Sequence, residues 1–219
     1  MKKRILMILT AVSLMAAGLT GCAASETKET QAPTSETSAE TVRESDGETP
    51  EEKAAETGYE AGVTSETGWS SAWLNMKFTP GEGVTLLSEE EKEMVLPAGD
   101  DTFVYEMMAG NADGTASIGV VVEKSELSPE EYMEIMKEQL QGDNMEGMAF
   151  QVVQDITDRE FLCRPVKYMQ VDSSYQKVIV RHTYMIYAQD GYLVEMIGTG
   201  VPESPEVLET LMASFTTLE

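Results

Sequence analysis

Chemistry in this chain has few carriers. There is one histidine, His182, and there are two cysteines, Cys22 and Cys163. No serine stands in a Gly-x-Ser-x-Gly turn, and no nucleophile and base are spaced as a recognisable pair. His182 falls on the Val178–Val180–Tyr184 face of a strand-like run, where a lone imidazole is expected as a hydrogen-bonded core or rim residue. It has no partner at zinc-ligand spacing. Cys163, between Leu162 and Arg164 in another strand-like run, reads as a small buried hydrophobe rather than a reactive thiol. Methionine is abundant, with fifteen in the chain. Met133 and Met136, and then Met145 and Met148, have a spacing that thioether copper sites use. Their expected role is packing, Met133 and Met136 on or beside a helical core stripe and Met145 and Met148 in the loop that follows. Asp100-Asp101 and Asp143-Asn144 offer oxygen ligands beside glycine, yet the full calcium-loop pattern is missing and solvated turns are expected. No catalytic residue, cofactor or metal site is expected from these residues, although a methionine copper site or an acidic calcium site is the alternative, and a minor hydrolase the third.

The N-terminus is organised differently. Lys2, Lys3 and Arg4 precede an apolar run from Ile5 to Ala17, and Leu19-Thr20-Gly21-Cys22 closes it. That run is shorter than a bilayer span requires. Together these residues resemble a bacterial lipoprotein signal, with Thr20 a less usual choice beside Leu19, Gly21 and Cys22. The resemblance implies that residues 1–21 are removed and that Cys22 is acylated, anchoring the chain on the extracytoplasmic face of a membrane.

Composition then separates two further regions. Residues 23–66 hold twelve acidic and three basic groups and repeat Ser, Glu and Thr, as at Ser25-Glu26-Thr27 and Ser35-Glu36-Thr37. Such a segment has too little apolar area to offset its ordering entropy, so 22–66 is expected as a disordered acidic tether. Residues 67–219 are long enough for one domain with its own core. They carry twenty-seven acidic and nine basic groups, a net charge near −18 within a chain total of −24. A field of that sign repels nucleic acid and anionic headgroups, and leaves cations, basic proteins or neutral surfaces as partners. Setting Cys22 aside leaves no disulfide framework.

Within 67–219 the elements alternate. Trp69 and Trp73 open the domain, and Leu74 to Thr79 reads as a short strand. Ser88-Glu89-Glu90-Glu91 is a capping box for a helix of about two turns. Thr102 to Ala109 and Ala116 to Glu123 pair across Asp113-Gly114. A second capping box, Ser128 to Glu131 with Pro129, starts a helix carrying Tyr132, Ile135, Met136 and Leu140 on one stripe. Strands follow over Ala149 to Ile156, Glu160 to Met169, Gln176 to Gln189 and Tyr192 to Gly198, the last pair across Asp190-Gly191. In the long strand both faces are apolar, so helices are expected on each side of the sheet. Ser204-Pro205 starts a closing helix striped by Val207, Leu208, Leu211, Met212 and Phe215. This is an α+β plan: an antiparallel sheet of about six or seven strands with helices packed on both faces.

Phe78-Thr79-Pro80-Gly81, the helix from Ser128 and the ending Ser214-Phe215 resemble the PsbP fold over residues 74–217. That group includes photosystem-associated lumenal proteins and many bacterial lipoproteins. The resemblance implies an α/β/α sandwich used for binding, without enzymatic chemistry, and carries over no functional residue. The expectation for function is therefore a lipid-anchored, non-catalytic binding or assembly module with a protein partner in the cell envelope.

Overall fold

A computed structural model describes residues 58–95, 103–142 and 148–218. Cys22, Asp100-Asp101, Asp143-Asn144 and Met145 lie outside these residues, as do residues 1–21 and most of the acidic segment.

The fold is α+β. Seven antiparallel strands form the main sheet in the order β4-β5-β6-β10-β9-β8-β7. They are β4 (Val84–Leu86), β5 (Phe103–Asn111), β6 (Ala116–Lys124), β7 (Met148–Phe161), β8 (Arg164–Tyr175), β9 (Val178–Gln189) and β10 (Tyr192–Gly200). Among the described residues three helices accompany them: α1 (Glu89–Val95), α2 (Pro129–Gly142) and α3 (Pro205–Ala213). Helix α2 packs on β7, β8 and β9, and α3 on β6 and β10. The alternation of the strands divides the core accordingly. Tyr132, Met133, Met136 and Leu140 meet Tyr184, Ile186 and Ile197 on the α2 face. Leu208 and Leu211 meet Val194, Met196 and Met185 on the other. Both faces of β9 are thus apolar because each is covered, as its residue pattern required. Gly198 is where α3 approaches most closely, since a Cβ there would lie 2.8 Å from Leu208 Cδ1.

Both capping boxes form. Ser88 N–H donates to Glu91 Oε2 at 2.7 Å and Glu91 N–H to Ser88 Oγ at 3.3 Å. Ser128 and Glu131 repeat the exchange at 2.9 and 3.2 Å. Each hydrogen-bonded glutamate is held below the usual carboxylate range. At α3, Ser204 makes no side-chain capping bond, and Pro205 alone marks the start. Phe215, expected on that helix, instead begins β11 (Phe215–Thr216), because the helix ends at Ala213 and the chain extends to pair with Phe78.

That pairing belongs to a second sheet that the sequence pattern did not reveal, β1-β2-β3-β11, with β1 (Val63–Ser65), β2 (Gly68–Ser71) and β3 (Met76–Phe78). It closes the α3 side of the core with Trp69, Met76, Phe78 and Phe215. The folded part therefore starts before residue 67. Val63 to Ser65 pair with β2, and the Tyr59 ring lies edge-on to Trp73 at 5.2 Å.

The hairpin turns also shift two boundaries. Asp190-Gly191 and Gly114 have the positive φ expected of them. Leu162-Cys163 and Gln176-Lys177 are two further two-residue turns with positive φ at both positions, although neither holds Gly or Asn. As a result β7 runs on through Thr157–Arg159, and β9 starts at Val178. Met148 opens β7 rather than lying in a loop.

Candidate functional site

The residues singled out by type are dispersed. His182 is fully buried in β9, with Nε2 2.8 Å from Ser173 Oγ and Nδ1 3.3 Å from Thr199 Oγ1. Burial pushes its pKa down to about 4, so it is a neutral core residue, as its strand position suggested. Cys163 is exposed, not the small buried hydrophobe expected, because it occupies the second position of the β7–β8 turn with φ 61°. His182 pairs with Val171, which places it roughly 25 Å along the strands from that turn at about 3.3 Å per residue. The two cannot act together. Met133 and Met136 are closed into the α2 core, and no group of three or more His, Cys, Asp or Glu residues suited to a metal exists among the described residues.

Two other places gather polar chemistry. The first is a groove of about 180 Å³ where β7, β8 and β9 emerge from beneath α3. Its floor comes from the sheet: Tyr168 and Gln170 on β8, Arg181 and Thr183 on β9, and Arg159 on the edge strand. Its wall is mostly apolar, with Leu208 and Met212 of α3 and the Val201-Pro202 turn, and Glu209 of α3 adds one carboxylate to it. Arg181 is held by Asp172 in a two-pronged pair at 2.7 and 2.9 Å. Gln170 Nε2 donates to Thr183 Oγ1 at 3.1 Å. Arg159 is different. Its guanidinium lies 3.7 Å over the Tyr168 ring, and it has no ion pair among the described residues. Stacking fixes the plane of the guanidinium and leaves its N–H edge available for a planar acceptor such as a carboxylate. A larger, more open depression of about 330 Å³ beside it has its charges engaged. Arg164 donates there to Tyr187 Oη and Gln189 Oε1, and Lys167 pairs with Glu130 and Asp158.

The second place is internal. Glu195, at the middle of β10, is 1% exposed and faces α2. Tyr132 Oη lies 2.9 Å from Glu195 Oε1 and 3.0 Å from Glu123 Oε2. Burial, and then the Glu123 charge, raise the Glu195 carboxyl to about 8. Tyr105 and Tyr184 also feel the Glu195 charge, and their hydroxyls are buried without hydrogen-bond partners among the described residues. Glu195 lines neither cavity described above.

Sequence reasoning passed over Arg159, Tyr168 and Glu195. Glu195 had a readable signal, a lone carboxylate inside Leu193-Val194-Glu195-Met196-Ile197. Arg159 had none, because the pattern leaves 157–159 between two strands, whereas it lies on the edge strand β7 and lines the groove under α3.

No helix among the described residues is long and apolar enough to cross a membrane. No protein-family model matches the chain, and no curated protein matches it in sequence. Among solved structures it is similar to cyanobacterial PsbP (CyanoP) from Synechocystis sp. PCC 6803, at 9% identity and a TM-score of 0.46, over 75% of this chain and 97% of that one. It is also similar to LpqN, involved in cell envelope biogenesis of Mycobacterium tuberculosis, at 11% identity and a TM-score of 0.40, over 66% of this chain and 83% of that one.

Proposed function

We propose that this chain is a non-catalytic binding or assembly module of the cell envelope, held on the extracytoplasmic face of a membrane by lipid on Cys22. The observation that carries the reading is Arg159, laid on Tyr168 and lining a groove whose wall is mostly apolar. This arrangement suits a protein partner that presents a carboxylate beside an apolar side chain. The guanidinium is preorganised, so little side-chain entropy is lost on contact, and Leu208 and Met212 supply apolar area. The overall charge of the domain disfavours an acidic partner only at long range, since fields are screened over about 8 Å at physiological ionic strength. Turnover is not part of the proposal: His182 and Glu195 are both sealed in the core, and Cys163 stands exposed in a turn far from the imidazole.

The test is a photo-cross-linking residue at Met212 in the full chain, expressed in its own cells. One partner is expected to be captured from that position, and its capture should be lost with Arg159→Ala while circular dichroism and melting are kept. Capture unaffected by Arg159→Ala, or hydrolysis of a peptide, ester or glycan by the purified chain, would overturn the reading.

A further inference from the structure

The internal cluster poses a question of hydrogen counting. Tyr132 carries a single phenolic proton and can donate one hydrogen bond, while an ionised carboxylate can donate none. Yet its oxygen stands at hydrogen-bond distance from two carboxyl groups, 2.9 Å from Glu195 and 3.0 Å from Glu123. Both contacts are attractive only when one carboxyl is itself protonated and donates to the tyrosine oxygen. The surroundings identify which one. Glu195 is 1% exposed within the central strand, whereas Glu123 is only partly buried near the end of β6. Removing a charge from water is costly unless a counter-ion compensates it, so the proton resides on the deeper group.

We infer that Glu195, Tyr132 and Glu123 share one proton chain, Glu195 donating to Tyr132 and Tyr132 to Glu123, and that this chain locks α2 onto the sheet in a pH-dependent way. Every other titratable group facing Glu195 agrees with a neutral carboxyl there. Tyr184 from β9 and Tyr105 from β5 are phenols that burial pushes up, so neither brings a compensating positive charge. His182 stacks beyond Tyr184 at 6.3 Å and is committed to Ser173 and Thr199. No cation among the described residues faces Glu195.

Loss of the proton would leave Glu195 charged in a dry site beside a second carboxylate on the same phenol, and hydrating Glu195 requires α2 to lift. Once α2 opens, Glu195 has its ordinary value near 4.5, against about 8 when closed. The opening equilibrium therefore rises about tenfold per pH unit between those limits.

Native-state hydrogen exchange of the full chain between pH 5 and pH 8 reads this directly. Protection factors of the α2 amides are expected to fall about tenfold per unit, relative to those of β9. Glu195→Gln keeps a donor to the Tyr132 oxygen and removes the titration, so its α2 protection should be flat with pH. A wild-type slope retained in Glu195→Gln, or shared equally by β9, would overturn the inference. Should that variant fail to fold, infrared spectra of the wild type decide: a protonated carboxyl stretch persisting at about pH 6.5 supports the shared proton, and its absence at that pH overturns it.

Discussion

The backbone N–H of Gly62 donates to Glu106 Oε2 at 2.8 Å, while the Tyr59 hydroxyl holds the other carboxylate oxygen. Glu106 is only 4% exposed, so these two bonds from the start of the folded part satisfy a charge that water cannot reach. Lys92 fixes the same place from the other side, donating to the carbonyls of Tyr105 and Glu106, at the bulge where β5 shifts register. A chain starting at Thr67 would lose Tyr59, Gly62 and β1 together. It should unfold at markedly lower urea than one starting at Gly58, by about 3–5 kcal/mol, the usual cost of stranding a buried charge. Gly62→Ala should do similar harm, because its Cβ would lie 2.4 Å from Trp69 Nε1. Equal urea midpoints for the two starting points would show that residues 59–66 add nothing to the fold.

Leu162 and Cys163 hold φ of 49° and 61°, a left-handed pair that neither side chain favours. The paired substitutions Leu162→Asn and Cys163→Gly supply the residue types such a turn prefers. The double variant should be more stable than the parent by about 1–2 kcal/mol, on the usual cost of left-handed backbone for other residues. Thermal melting at one pH measures it. The wild-type thiol should also react with a disulfide reagent at the rate of a free cysteine while circular dichroism stays native. A thiol that reacts only on unfolding would contradict its exposed place in the turn.

These turns explain where the sequence was legible and where it was not. Asp190-Gly191 and Asp113-Gly114 announce their hairpins through local chemistry, and the two capping boxes announce α1 and α2 in the same way. Leu162-Cys163 and Gln176-Lys177 are imposed by ladders on either side, Phe161 opposite Arg164 and Tyr175 opposite Val178. Nothing local marks them. The second sheet was hidden for a related reason, since its strands have two to four residues and depend on Phe215 returning to Phe78. The core stripes of α2 and β9 were readable because burial has a period. The Arg159–Tyr168 stack was not, because it requires the β7–β8 register, which the bulges between Val152 and Thr157 set.

Anchoring makes its own prediction. Intact mass of the membrane-extracted protein should place acyl chains on an N-terminal Cys22, with residues 1–21 gone. A Cys22→Ala chain should leave the membrane fraction, since one or two acyl chains separate marginal from stable attachment. A Cys22→Ala chain as firmly bound as its parent would point to another anchor.

His182 and Glu195 bend the pH dependence of global stability in opposite directions. The His182 pKa falls from 6.5 to about 4 on folding, because burial disfavours the imidazolium. A depressed folded value means that its contribution is fully present above pH 6.5 and is lost as pH falls through 4. At about 1.4 kcal/mol per pH unit the full span is about 3 kcal/mol. Glu195 rises from 4.5 to about 8, chiefly by burial. Its contribution is fully present below pH 4.5 and is lost as pH rises toward 8. Between them lies a window, about pH 4.5 to 6.5, in which neither loss is complete and stability should be greatest. Urea unfolding across about pH 4 to 9 is expected to show that maximum on the acid side of neutrality. In His182→Gln the acid limb should flatten while the alkaline limb stays. A stability profile that keeps rising from about pH 6 to 8 would show that Glu195 is already ionised in the folded chain.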